Sequence, residues 1–356
     1  MTDGNVTRRQ IMALAFIGLL SPAIRAISES EIAVGEKGVY LSPIAAAVPV
    51  LLLFLLTDRL SRGGTLDELF RRVYGKAAGG GVTVIFVLWM TFYTGLVLRV
   101  AGDRLVSCVY ASSHWAIFAA VIAAVSAFAA AGRVKALTRT ASLLLPVVIA
   151  SLAGVFLLLT ADIKSENLLP LTAADVKPAL TGSFHMISVG SLMAYYGFMP
   201  TDRQSQKRAE GIGYAAGVIA VMAAVTVTVV GILGAELASA MESPFFVVIR
   251  NVTLFNILER IEAVVVALWV VSDVAFVSGM VMSSAGAMER TTGMSRKIWS
   301  PIIAAAALAT AATVSRTTYG IELVIQNIAP IGNMILMFAV LPMTYGISKI
   351  KRKDNI

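Results

Sequence analysis

Long apolar segments recur along the whole chain and limit the folds that are open to it. About 20 apolar residues span a bilayer as a helix, and we count ten such segments. The chain is 58% hydrophobic and 14% charged, whereas soluble domains carry about 25% charged residues. The sequence therefore predicts an all-α polytopic membrane protein, one domain over residues 1–356 with ten transmembrane helices. The segments are 10–27, 39–57, 82–110, 115–131, 141–160, 179–199, 211–235, 260–286, 298–314 and 322–347.

Lysine and arginine are distributed unevenly between the loops. With the N-terminus inside, the inner loops carry 20 of the 29 basic residues, the outer loops carry 5, and the rest lie in spans. Cytoplasmic loops have such an excess, so we predict that both termini are cytoplasmic. The net charge of +8 then needs no nucleic acid partner. In the loop 58–81, helical spacing of apolar residues indicates a short amphipathic helix on the inner surface, or else a solvated loop.

One carboxylate, Asp273, lies near the middle of the most apolar stretch of the C-terminal half. A charge at that depth costs about 3 kcal/mol and usually faces a cavity, a partner or a substrate. Glu259, Glu262, Trp269 and Asp273 fall on one helical face, as a polar stripe running inward from the outer mouth. We expect Asp273 to meet a ligand ammonium, carry a proton or bind a hydroxyl such as that of Tyr93. The alternative is a neutral, structural hydrogen bond.

Helix-weakening residues lie at corresponding places in two five-helix halves, approximately residues 10–160 and 179–347. Span one contains Gly18 and Pro22, and span six contains glycines and serines at 188–191. Broken first and sixth helices are typical of inverted-repeat transporters, whose freed backbone groups bind ligands at the midplane. Ordinary kinks are the alternative, since glycine and proline are common in membrane helices. The candidate ligand contacts are Gly18, Ser21, Pro22, Tyr93, Ser188, Gly190, Ser191, Trp269 and Asp273.

Other polar residues are candidates for structural or gating roles. Arg99 and Asp103 are four residues apart, so pairing along one helix is favoured over a ligand contact. One cysteine and two histidines leave no cluster for a metal or cofactor, and no catalytic motif is present, so we predict no enzyme activity. The structural or gating candidates are Arg99, Asp103, Glu259, Arg260 and Glu262.

The segment 244–273, with its Pro-Phe-Phe run, the motif Glu259-Arg260-Ile261-Glu262 and Trp269 seven residues later, resembles the spore-germination permeases. These are the B subunits of nutrient germinant receptors, in the amino acid–polyamine–organocation transporter superfamily. The resemblance implies a leucine-transporter-type five-plus-five inverted repeat, and an amino-acid pocket between spans one, three, six and eight. It also implies partner A and C subunits, residence in the inner membrane of the cell or spore, and a role in triggering germination. A proton-coupled amino-acid permease without receptor partners is the alternative. The family's first span usually has a glycine- and threonine-rich break ending in leucine-proline, from which Ser21-Pro22 departs.

Overall fold

The computed structural model describes residues 6–25, 32, 36–62, 64–108, 112–202, 208–241, 243–251, 261–314 and 317–353. Regular structure within these residues is helical throughout. The principal helices are α1 (Arg8–Arg25), α2 (Ser42–Ser61), α3 (Lys76–Cys108), α4 (Trp115–Ala131), α5 (Val134–Leu159), α6 (Val176–Ser191), α7 (Arg208–Leu233), α8 (Ile261–Thr292), α9 (Arg296–Thr313) and the composite α10 over 318–353.

The helices are those of a multi-pass membrane protein. Of the described helices, α2, α3, α5, α7, α8 and α10 are long and apolar enough to cross a bilayer, and α4 is shorter at 17 residues. Each of the ten predicted segments overlaps one principal helix, although the number that cross the bilayer stays a prediction. Large apolar side chains are exposed on α4 and α5, including Phe128 and Leu143. Such surfaces are expected to face lipid rather than water.

Helix packing follows a repeating pattern. The contacts of α1 with α7 and α5 correspond to those of α6 with α2 and α10, and the α3–α9 contact corresponds to α8–α4. The central helices are α3 and α8, which pack against each other and against α4 and α9. The extensive α1–α8 contact has no equally extensive counterpart between α6 and α3. That asymmetric contact brings together the residues of the candidate site.

A short helix, Leu66–Tyr74, occupies the loop between α2 and α3. The helical alternative for this loop is therefore correct, but its apolar face packs on protein. Phe70 is fully buried, and its ring centre lies 5.1 Å from that of Phe86 on α3. Buried Asp67 accepts two hydrogen bonds of 2.8 Å from Arg290 at the end of α8. This ion pair fixes the short helix to the central helices.

Candidate functional site

Two adjoining cavities lie among α1, α3, α8 and α10. The small cavity has a volume of about 30 Å³, enough for about two water molecules. The large cavity has a volume of about 440 Å³ and reaches the connecting helix Pro244–Asn251, and its size is within the usual range of small-molecule sites. Arg25 and Glu322 line both cavities, whereas Asp273 lines the small one and Arg104 the large one.

Asp273 is held by an arginine of α3. Arg104 Nη2 forms an ion pair with Asp273 Oδ2, and Arg104 Nη1 donates a 2.9 Å hydrogen bond to Ser21 Oγ. The guanidinium carbon lies 4.8 Å from the ring centre of Trp269. Arg104 was not named as the partner from the sequence, and the expectation that Asp273 meets a ligand ammonium, a proton or a hydroxyl such as that of Tyr93 stays a prediction. A buried carboxylate is stabilised by a full opposite charge, which Arg104 supplies.

The Arg104–Asp273 pair stands between the two cavities. Asp273 is 1% exposed, and the Arg104 side chain is 13% exposed, toward the large cavity. Asp273 Oδ1 accepts no hydrogen bond from the described residues. The carboxylate therefore has one oxygen bound by arginine and one oxygen left for another donor.

A second ion pair links the C-terminal end of α1 to the N-terminal part of α10. Arg25 Nη2 pairs with Glu322 Oε2, and Gln326 Nε2 donates a 2.9 Å hydrogen bond to Glu322 Oε1. Both members of the pair are about a quarter exposed. The two ion pairs bring two positive and two negative charges to the boundary between the cavities. The charges at this boundary therefore balance. The small cavity itself is too small for an amino acid.

The prediction that span one is a broken helix is wrong, because α1 is continuous from Arg8 to Arg25. Pro22 has no N–H, so it cannot donate to the carbonyl of Gly18 one turn earlier. Ser272 of α8 supplies the missing donor: its Oγ donates to Gly18 O at 3.1 Å and accepts from Ser21 N at 2.7 Å. The freed backbone groups are thus satisfied by a serine hydroxyl, and the helix keeps its course.

Gly18 allows close packing of α1. A Cβ atom at this position would lie 2.9 Å from Phe276 Cα on α8 and 2.9 Å from the Tyr196 hydroxyl oxygen. Neither cavity is lined by Gly18. In this structure its lack of a side chain serves the contact between helices rather than an open approach to a ligand.

Span six changes helix type at its weak segment. The α-helix ends at Ser191 and continues as a 3₁₀ helix over Leu192–Phe198. A Cβ at Gly190 would lie 2.6 Å from Val50 Cγ2 of α2, so this glycine serves packing. Ser188, Gly190 and Ser191 line neither cavity, and their neighbour Val189 lines the small one. From α6 the small cavity is therefore lined by Val189 and, one turn earlier, by His185.

The other predicted residues are placed as follows. Ser21, Pro22, Tyr93 and Asp273 line the small cavity, while Trp269 lines the large one. The predicted Arg99–Asp103 pair is confirmed, with Nε 2.9 Å from Oδ2, and Arg99 also stacks on Trp115. Glu259 and Arg260 lie outside the described residues, and Glu262 is described only as part of the backbone of α8.

Four residues of the site were not singled out from the sequence: Arg25, Arg104, Ser272 and Glu322. Two arginines inside apolar spans were a usable signal, since a charge at bilayer depth usually has a partner. Their partners could not be chosen without knowing which helices adjoin. Ser272 gave no signal, because serine is common in membrane helices and its neighbour Asp273 stands out more.

The end of α1 away from the cavities is also held by charges. Arg8 Nε lies 3.2 Å from Asp58 Oδ1, and Arg8 Nη1 donates a 2.8 Å hydrogen bond to Ser61 Oγ of α2. Arg8 is 4% exposed. Buried ion pairs of this kind cost several kcal/mol to break by removing one partner. Both ends of α1 are therefore held by ion pairs.

Comparison with known proteins adds a family and a fold. A family model described as Spore germination protein matches residues 5–320. No curated protein matches the sequence significantly. The fold is similar to that in the crystal structure of MhsT in complex with L-phenylalanine, with a TM-score of 0.60 and 15% identity, covering 93% of this chain and 88% of that one. At this identity the likeness shows the fold alone, which is of the leucine-transporter type.

Proposed function

This chain belongs to the spore germination protein family, and we propose that it is the membrane-embedded subunit of a spore germinant receptor that binds a small amino acid or similar nutrient and triggers germination. Family and fold both support a membrane transporter or germinant-binding role. The finer proposal rests on one observation, the two ion pairs between the small and large cavities.

The charges of these pairs suit a zwitterion. A ligand ammonium can replace Arg104 at Asp273, and the displaced guanidinium is then available to the ligand carboxylate. The exchange keeps every buried charge paired, which matters because a lone buried charge is strongly unfavourable. An amine without a carboxylate would leave Arg104 without a partner, and a simple carboxylic acid would leave Asp273 unpaired. The need to keep both buried charges paired therefore favours amino acids over simple amines and simple carboxylic acids.

Binding also requires opening. The small cavity holds about 30 Å³, so an amino acid can enter only if Arg25–Glu322 and Arg104–Asp273 separate. The large cavity provides the route to these pairs. We propose that ligand enters from this side, which is the outer side if both termini are cytoplasmic.

The repeated packing pattern supports a five-plus-five inverted repeat over about 10–160 and 179–347, with ten spans in a single domain. Under this proposal α1 and α6 are equivalent first helices of the two repeats. Each of them departs from regular α-helical hydrogen bonding. In α1 the departure is bridged by Ser272, and in α6 it is the change to a 3₁₀ helix.

A thermal-shift screen of the purified protein against the twenty amino acids tests the proposal. At least one small amino acid should stabilise it, since ligand at 100 times Kd contributes about 2.7 kcal/mol. Asp273→Asn should remove the stabilisation, while the control Glu236→Gln, at an exposed residue of the short helix Ala235–Ser239, should keep it. The proposal fails if none of the twenty stabilises the native protein, or if Asp273→Asn responds with unchanged affinity.

The alternative is a proton-coupled amino-acid permease without receptor partners. The observation that favours it is Asp273, a buried carboxylate with one oxygen free of hydrogen bonds from the described residues. Proton-driven uptake by this chain alone in proteoliposomes would support the permease. Copurification with A and C subunits, and no uptake, would support the receptor.

A further inference from the structure

A fully buried asparagine of α10 joins this helix to span six and to α3. Asn333 of α10 donates through Nδ2 to Ser188 Oγ at 3.0 Å. Its Oδ1 accepts from the Tyr195 hydroxyl at 2.9 Å and from Trp89 Nε1 of α3 at 2.8 Å. Three hydrogen bonds satisfy both ends of this amide, as a buried polar group requires.

The partners of Asn333 lie on both sides of the junction in span six. Ser188 belongs to the α-helical part, which ends at Ser191, and Tyr195 belongs to the 3₁₀ part. One side chain therefore sets the position of the two parts relative to each other. The neighbouring Gly332 is needed for this contact, because a Cβ there would lie 2.0 Å from Trp89 Cη2.

The same helix carries Glu322. Between Glu322 and Asn333, α10 forms a π-helix over Val324–Ile328, and a second π-helix over Ile335–Val340 follows Asn333. π-Helical turns inside α-helices are rare and occur frequently at functional sites. The α-helical segment Ala329–Met334 is thus a short block, bounded on both sides by turns with a different hydrogen-bond register.

We propose that Asn333 is a positioning residue that links the junction of span six to the Arg25–Glu322 pair through α10. The inference rests on the proposed function, because the link would connect opening of the Arg25–Glu322 pair to the part of span six that lines the small cavity. A displacement of Glu322 moves the block that carries Asn333, and the amide transfers the displacement to Ser188, Tyr195 and Trp89.

Fluorine NMR of protein containing 5-fluorotryptophan tests this link without any ligand. The chain has four tryptophans, and Trp89→Phe assigns the resonance of Trp89. Glu322→Ala removes the ion pair with Arg25 and should shift the Trp89 resonance, although Trp89 lines neither cavity. Tyr319→Ala, an exposed position one turn away, is the matched control and should leave the resonance in place.

Variants of Asn333 decide whether the amide carries the effect. In an Asn333→Leu background, Glu322→Ala should no longer shift the Trp89 resonance. Asn333→Ala repeats this test if the leucine variant does not fold. Asn333→Asp should keep the shift, because a buried side chain with no counter-charge stays a neutral carboxylic acid, whose carbonyl oxygen accepts from the indole and the phenol and whose O–H donates to Ser188 Oγ.

Two results would overturn the inference: no shift on Glu322→Ala, or an equal shift without the amide. Because no ligand is added, neither result bears on amino-acid binding. Conversely, a negative amino-acid screen would leave this measurement unaffected.

Discussion

Arg104→Gln is the most informative single change, because it removes the counter-charge of Asp273 while keeping a polar, uncharged side chain. Asp273 is 1% exposed and has Arg104 as its ion-pair partner. Removing one member of a buried ion pair costs about 3–5 kcal/mol, since the remaining charge is left without compensation. The large cavity reaches Arg104, so we expect a cost near the lower end, about 3 kcal/mol.

The double variant Arg104→Gln/Asp273→Asn should lose less than the sum of the two single changes. With both charges removed, neither buried group needs a counter-charge, and replacing a buried pair by neutral groups is often close to neutral. The coupling energy of the cycle should therefore be about 2–3 kcal/mol in favour of the pair. Arg104→Gln should also regain stability at acidic pH, because a protonated Asp273 needs no counter-charge.

The assay is thermal unfolding of purified protein in detergent across pH. A loss of 3 kcal/mol corresponds to a fall in Tm of about 6 °C, at about 2 °C per kcal/mol for larger chains. Asp103→Asn removes a more exposed carboxylate and leaves Arg99 stacked on Trp115, so it should lower Tm less. Additive losses in the double variant, or an Arg104→Gln loss independent of pH, would contradict the assignment of a charged pair.

Three further changes test the neighbouring features. Ser272→Ala leaves the Gly18 carbonyl without its donor and should cost about 1–3 kcal/mol of stability, whereas Ser272→Thr should retain most of it. Equal Tm values for the alanine variant and the native protein would contradict the bridge by Ser272. Gly18→Val places Cβ 2.9 Å from the α8 backbone and should cost about 3 kcal/mol or more of stability, while Gly154→Val, in open space, should be tolerated. Equal Tm values for the two variants would contradict the packing role of Gly18. In a background without the native cysteine, impermeant maleimide should label Ser165→Cys but not Ser295→Cys in intact cells; the reverse would contradict the topology.

The positions of the helices could be predicted from the sequence because lipid imposes a simple requirement. Each span needs a long apolar run whose backbone groups bond internally, and this requirement is visible residue by residue. Asp273 stood out as a candidate for the same reason, since a carboxylate in an apolar run is costly. The contact between Arg99 and Asp103 was accessible because both lie on one helix.

The partner of Asp273 was not accessible, because it lies 169 residues away on another helix. Local spacing gives no information on which helices adjoin, and several polar groups could have met Asp273. The course of α1 was predicted wrongly for a related reason. Pro22 does remove a donor, as expected, but whether the helix breaks depends on what a neighbouring helix supplies, and Ser272 supplies a hydroxyl.

Attachments to α2, α10 and α8 explain why α1 stays helical at the Gly18–Pro22 turn. Arg8 is bound to Asp58 of α2, Arg25 to Glu322 of α10, and the Gly18–Pro22 turn to Ser272 of α8. The two ion pairs hold the ends, so bending of the middle requires one end to be released. Ligand entry between the cavities would release the Arg25 end first, because that pair lies at the boundary. Under the proposed function, ligand binding and bending of α1 are then linked through the adjacent residues Ser272 and Asp273. A ligand that displaces Arg104 from Asp273 acts one residue away from the hydroxyl that bridges the Gly18–Pro22 turn.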